Sequence, residues 1–452
     1  MRARTVRLAC AAGAVLAAFG FGSIGAAVGS PLLRFKPFSS SAKPPTTAQC
    51  LKKHHVACYD PAQFQAAYNM KPLYKKGKTG KGETIVIVDS FGSPTIQSDL
   101  KTFDKAFKLP APPSFKIIQP AGKVPKFNKK NAVMVDWGVE TSLDVEYSHA
   151  IAPGAKILLV ETPVAETEGV HGFPQIIKAE NYVIKHHLGQ VISQSFGATE
   201  ETFPSAKAIM GLRSAYKAAA KHGVTVLAGS GDEGPTNDLK NGKCCYAHRV
   251  VSWPSSDPLV TSMGVIQLHL SQSGKTLAPA NAWNDTALLG QPAASGGGVS
   301  SVFSRPAWQN SVKSIVGSKR GQPDMSMSAA VNGGALVYMT IPGLKDLDLK
   351  PGYSIIGGTS EATPEFAGVV AIADQIAGHG LGLINPTLYK LGDGSSSGIK
   401  DVTLGNTTVE FKLHGKTHVV KGFTAKSGYD MATGLGYADG AVLAYKLAHK
   451  KA

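Results

Sequence analysis

Apolar positions follow two alternating rhythms along the chain. Continuous apolar runs of strand length stand at 83–91 ("ETIVIVDSF"), 156–164 ("KILLVETPV"), 189–197 ("GQVISQSFG") and 224–232 ("VTVLAGSGD"), each running into Gly, Ser or an acidic residue. Runs this apolar suit strands buried on both faces. Between them lie helical patterns. "DPAQFQAAYN" carries Pro61 in its first turn, "TIQSDLKTFDKAFKL" is amphipathic, and "SAKAIMGLRSAYKAAAKHG" (205–223) ends in glycine. The alternation predicts an α/β fold, with a mostly parallel sheet covered by helices on both faces. In such folds the chemistry gathers beyond the C-terminal ends of the strands.

The N-terminus breaks this rhythm. Arg2, Arg4 and Arg7 precede an uncharged stretch from Leu8 to Gly29, with small residues at Ala27 and Gly29. Residues 1–29 therefore read as a signal peptide, with an uncleaved membrane anchor as the alternative. Residues 30–55 are rich in Pro, Ser and Lys and read as a linker or short leader; 56–450 read as one large domain. Export is then expected to place the protein outside the cell.

Composition sharpens the picture in a few places. At 43% hydrophobic and 17% charged residues, the 452-residue chain can bury a sizeable core. Removing Cys10 with the signal leaves Cys50, Cys58, Cys244 and Cys245, an even count that favours disulfides in an exported chain. Of the three connectivities, Cys50–Cys58 is the local one and leaves a vicinal pair; adjacent cysteines do not match the spacing of a zinc site. The formal charge is +16, but the lysines are scattered without interleaved aromatics, so no nucleic-acid partner is expected. "GKTGKGE" precedes its strand and lacks the upstream glycine of a phosphate loop, so no nucleotide is expected either. His414 and His418 fall in a hairpin pattern, which argues against zinc.

Candidate chemistry centres on "GGTSEATPEFAG", Gly357 to Gly368. Turn residues leading into a small-residue helix set Ser360 at a helix N-terminus, where its own N–H can help hold an oxyanion. Subtilisin-type peptidases present their nucleophile in this way, whereas a mere helix cap needs none of the surrounding glycines. A subtilisin triad would add an aspartate, for which Asp89 is placed, and a histidine opening a helix. No histidine stands in that context: His149 is followed by Ala-Ile-Ala-Pro and His171 by Gly-Phe-Pro. In the corresponding place stands "DWGVETSLDVEYSHAIAPGAKI". Val139, Leu143, Tyr147 and Ala150 mark a helical apolar stripe, with Glu140 and Asp144 sharing a face beside it. Such a pair alone is commonly a solvated acidic face; partly buried, the two repel and share a proton. Asp232, in "LAGSGDEGP", replaces the asparagine that in subtilisins donates to the oxyanion. Read in isolation it forms a turn, but protonated it can donate a hydrogen bond.

Together these features resemble the sedolisin family, the serine-carboxyl peptidases, from about Tyr59 to Tyr445. The likeness runs through "YDPAQFQAAYN", "ETSLDVEYSHAIAPGAKI", "VISQSFGATE", "GSGDEG", "SGGGVSSVFSRPAWQ", "GQPDMSM", "GGTSEATPEFAG" and "GYDMATGLGYADG", in order. The resemblance implies a single subtilisin-like α/β domain and a secreted, monomeric, acid-active endopeptidase that hydrolyses protein or peptide substrates. Tripeptidyl-peptidase action, a subtilisin with a relocated histidine, and a non-catalytic binding protein that kept the fold are the alternatives. It makes Ser360 the nucleophile, Glu140 the base, Asp144 its proton-sharing partner and Asp232 the oxyanion acid, and it leaves Asp89 structural. It lays the substrate backbone along Ser195, Phe196 and Gly197 and along Gly229, Ser230 and Gly231, which could equally be turns at strand ends. It also implies one structural Ca²⁺, held by the Asp401 and Asp430 carboxylates and the carbonyls of Val402, Lys426 and Gly428. Lys426 stands where the family usually has glycine. The short leader leaves no room for the folded prodomain common in the family.

Overall fold

The computed structural model describes residues 34–40 (backbone only), 43–392 and 396–449. The expected signal segment, 1–29, lies outside the described residues. The stretch read as a linker contains a strand, β1 (Arg34–Ser40), and a helix, α1 (Thr47–His54). The helix starts at Thr46, whose side chain accepts from Gln49 N while Gln49 returns a bond to the Thr46 backbone. The local disulfide Cys50–Cys58 ties this helix to the two-residue strand Cys58–Tyr59, and Cys244 and Cys245 are bonded to each other.

The domain then opens with α2 (Pro61–Ala67), capped by Asp60 at Gln63 N, and α3 (Ile96–Phe107) follows further along. The main sheet is built from β2 (Thr84–Ser90), β3 (Phe115–Ile118), β4 (Lys156–Thr162), β5 (Val191–Gln194), β6 (Thr225–Gly229), β7 (Thr261–Leu270) and β8 (Met325–Ser328). In space these run β8-β7-β6-β5-β2-β4-β3, all parallel; two short strands extend the β8 edge and Thr276–Ala282 pairs antiparallel with β7. Alternate residues divide between two cores. Ile85 and Ile87 join the core beneath α4 (Ala132–Ile151), while Val86 and Val88 join the core beneath α5 (Phe173–Lys185). This is the expected sheet with helices on both faces. A second, four-stranded sheet contains β9 (Gly334–Met339) and β10 (Gly352–Gly357), with β1 pairing β10 antiparallel. β10 feeds directly into α6 (Thr359–Ala377). Helix α7 (Gly440–His449) ends the described chain.

Two expectations change. The helix expected over 205–223 is two helices, Ala206–Gly211 and Ser214–Lys221. Gly211 weakens the middle, and Arg213, at the break, is drawn into a bidentate bond with Asp257 at 2.5 and 2.8 Å. Helix α4 is not amphipathic: every residue from Met134 to Ile151 is buried. It lies between α6 and the sheet that carries β9, so its acidic face meets protein. Among the described residues no helix is long and apolar enough to cross a membrane.

Candidate active site

The strand order places β2 between β4 and β5, so the chain turns in opposite directions on its two sides. Such a switch point leaves a crevice outside the C-terminal ends of the strands. Asp89 stands at the end of β2, Ser195 directly follows β5, and Asp232 follows β6. Two buried helices complete the crevice. α6 starts at Gly358, whose φ of 111° suits only glycine, and carries Ser360 in its first turn. α4 packs against α6 and contributes Glu140 and Asp144 one turn apart.

Ser360, Glu140, Asp144 and Asp232 are all fully buried. The Ser360 hydroxyl faces Glu140 and favours its charged form, but burial outweighs it. Burial, then the Asp144 and Asp89 carboxyls, push Glu140 well above the usual carboxylate range, and Asp136 adds to this. Asp144 is raised in the same way, first by burial and then by Asp89, against the hydrogen bond from Ser195. Ser195 Oγ lies 2.8 Å from Asp144 Oδ1 and 3.3 Å from the Ser360 carbonyl. It thus ties the end of β5 to both helices. Asp232 Oδ1 accepts from Thr359 N and Thr359 Oγ1, each at 2.8 Å, which fixes it beside the residue that precedes Ser360.

The sequence sets Asp89 apart from the site, yet the fold brings it into electrostatic contact with both Glu140 and Asp144. Burial pushes Asp89 itself up to about 7, with Thr141 lowering it and Glu161 raising it. Its position at a strand end is legible; its closeness to α4 depends on packing between distant segments. Ser195 is expected as part of a backbone rail, whereas its side chain points at Asp144. Phe196 is buried against Trp137 and Phe173, so its side chain belongs to the core. Gly197 sits where an added Cβ would lie 3.1 Å from the Trp253 carbonyl. Gly229 closes β6, Ser230 donates to Gly296 O at 2.8 Å, and the Gly231 carbonyl accepts from Gly296 N. His149 is engaged by Pro110 O at 2.7 Å and Asp104 at 3.3 Å, and His171 is exposed.

These positions can be set against known proteins. The sequence matches the family model of the subtilase family over residues 128–387. Kumamolisin from Bacillus sp. (strain MN-32) is 29% identical over 385 residues, covering 84% of this chain and 61% of its own. The chain belongs to the sedolisin branch of the subtilases. Sedolisin from Pseudomonas sp. (strain 101) is 27% identical over 383 residues, and human tripeptidyl-peptidase 1 is 27% identical over 315. The solved structure of Pseudomonas sedolisin, described as a serine-carboxyl proteinase complexed with two molecules of pseudo-iodotyrostatin, superposes with a TM-score of 0.69 at 26% identity. The match covers 86% of this chain and 97% of that one. Against the curated sedolisin-family relatives the chain spans between half and three-fifths of their length.

The family's expected cation site lies away from the crevice. Asp401 accepts from Val402 N at 2.8 Å and from Gly428 N at 3.0 Å. Asp430 accepts from Lys426 N at 2.7 Å and from Ala432 and Thr433 N at 2.9 Å. The second segment thereby holds the Asp401 carboxylate through Gly428 N, while Asp430 is held by its own segment. Among the described residues, nothing donates to the carbonyls of Val402, Lys426 or Gly428. The two carboxylates and three carbonyls offer oxygen donors alone, the chemistry a hard divalent cation takes. Asp238, Cys244 and Cys245 also cluster, but their sulfurs are consumed by the disulfide.

Proposed function

We propose that the protein is a secreted, acid-active serine-carboxyl endopeptidase. The observation that carries the reading is the buried set Ser360–Glu140–Asp144, with Ser195 on Asp144 and Asp232 locked beside Thr359. Two adjacent buried carboxyls cannot both be ionised cheaply, so Glu140 and Asp144 hold one proton between them in acid. With that proton on Asp144, Glu140 accepts the Ser360 proton as the hydroxyl attacks the scissile carbonyl. The Ser360 N–H and a protonated Asp232 stabilise the tetrahedral oxyanion. Asp232 Oδ1 already accepts two hydrogen bonds, which directs the proton to Oδ2. Glu140 then returns its proton to the leaving amine, and water hydrolyses the acyl-enzyme by the same path. The substrate backbone lies against Ser195–Gly197 and Gly229–Gly231. Residues 56–450 form the peptidase domain, and the monomer is the working unit.

A calcium ion would be held by Asp401, Asp430 and the carbonyls of Val402, Lys426 and Gly428. It would supply only positive charge that neutralises the two acids and clamps their loops.

The test is cleavage of a denatured protein and of blocked peptides at pH 4 by the natural chain, Ser360→Ala and Glu140→Gln. The reading requires internal cleavage that both substitutions abolish. Full activity in Glu140→Gln would refute the carboxyl base.

A further inference from the structure

A second carboxyl pair sits on α6 itself. Glu361 and Glu365 are one turn apart, next to Ser360 in sequence but directed away from the crevice, and both are fully buried. Glu365 Oε2 accepts from the Tyr68 hydroxyl at 2.7 Å, and that hydroxyl in turn accepts from Ser328 N at 2.9 Å. Glu361 Oε2 accepts from Ala335 N at 3.3 Å. Each glutamate keeps its Oε1 without a hydrogen-bond partner. The chain Glu365–Tyr68–Ser328 ties α6 to the end of α2 and to β8, and Glu361 ties it to β9.

Among the described residues, no positive charge is paired with Glu361 or Glu365. Tyr68, just past α2, and Tyr147, from α4, are the titratable groups that face the pair. β6 and β8 carry none, the histidine of β7, His269, is bonded to Asn281, and Lys446 and His449 of α7 are exposed. The charged groups of β2 and α4 near α6, Asp89, Glu140 and Asp144, are themselves acids and lie on the Ser360 side. Asp374 sits at the far end of α6, where it accepts from Leu381 N. No ion pair among the described residues involves Glu361 or Glu365.

We propose that Glu361 and Glu365 form a proton-dependent lock behind the nucleophile, which keeps α6 seated in acid and releases it when the pair loses its protons. Burial, and for Glu361 its neighbour Glu365, raise both well above the usual range. A group raised on folding stabilises the fold fully at low pH and loses that contribution as pH climbs through its folded value. The lock therefore holds in acid and opens toward neutral and alkaline pH. The consequence differs from titration of the catalytic pair. Losing the catalytic proton silences the enzyme reversibly, whereas losing the lock unseats the helix that carries Ser360.

The proposal can be tested without catalysis, so its failure is separable from that of the peptidase reading. The full chain carrying Ser360→Ala is melted from pH 3.5 to 8, with and without Glu361→Gln/Glu365→Gln. The amides mimic the protonated pair, so the two proteins should melt alike near pH 4. Above that, the melting temperature should fall more steeply with the glutamates present. In isothermal unfolding, each proton removed from the linkage makes the equilibrium about tenfold less pH-dependent per unit. Parallel curves would overturn the lock. Should the double variant not fold, hydrogen exchange over 359–377 in the unsubstituted pair decides. After correction for intrinsic rates, this segment should lose protection between pH 4 and pH 7.5 more than β2 and β5 do; equal loss overturns it. In the active enzyme, exposure to pH 8 followed by return to pH 4 should leave less activity in the natural chain than in the amide variant.

Discussion

Two pairs of carboxyls stand one turn apart on two packed helices, Glu140–Asp144 on α4 and Glu361–Glu365 on α6. Spacing and burial are the same in both, and among the described residues neither pair has an ion-pair partner. What separates them is the company they keep. Glu140 and Asp144 meet two hydroxyls, Ser360 and Ser195, at the crevice beyond the strand ends. Glu361 and Glu365 meet a tyrosine hydroxyl and one backbone N–H inside the core. A buried acid pair is a proton store in either case; an adjacent nucleophile turns the store into a base, and its absence leaves a pH-dependent strut.

The comparison is broken most sharply at the serine. Ser360→Ala should lower kcat on the order of 10⁴-fold or more, while keeping the fall in melting temperature with pH that the Glu361–Glu365 pair contributes, because that pair is untouched. Glu140→Gln comes next, with an expected loss of about 10³-fold in kcat and an acid-to-neutral melting curve flatter than that of the natural chain. Asp232→Ala should cost about 10²-fold or more. Asp232→Asn should cost less and extend activity toward neutral pH, since an amide donates without needing a proton; kcat/KM against pH for both variants checks this. Ser195→Ala should cost roughly tenfold, chiefly by withdrawing support from the single negative charge that Glu140 and Asp144 share and moving the acid limb of the kcat/KM profile upward. The smallest effect is expected at the calcium site. Chelation should lower the melting temperature by several degrees, and Lys426→Gly should reduce the calcium concentration needed to restore it, by removing a nearby positive charge.

Much of the fold is legible in the sequence because its strands are short, apolar and closed by small or acidic residues. Asp60 with Pro61 marks the start of α2, and the cysteine spacing marks Cys50–Cys58. The catalytic candidates are legible for a different reason: the Gly-Thr-Ser turn calls for a base, no histidine stands where a subtilisin would have it, and the resemblance to the sedolisins assigns that role to Glu140. Asp89 escapes because its nearness to α4 is set by packing between segments some 50 residues apart. Glu361 and Glu365 stand inside the nucleophile's own stretch, but their sequence context resembles an exposed first turn. Only the burial of all of α6 from Thr359 to Asp374 reveals them as a core pair. The break at Gly211–Arg213 is hidden likewise, since its cause is Asp257, far along the chain.

The most direct test of the central claim, a carboxyl base in place of a histidine, is kcat/KM for a blocked peptide from pH 2 to 8. The natural chain is measured beside Glu140→Gln, at exposures short enough to keep the protein folded. The account predicts an acid maximum, decline toward neutrality as the shared proton and that of Asp232 are lost, and a collapse of the whole profile in the glutamine variant. A plateau reaching pH 8 that Glu140→Gln leaves intact would contradict it.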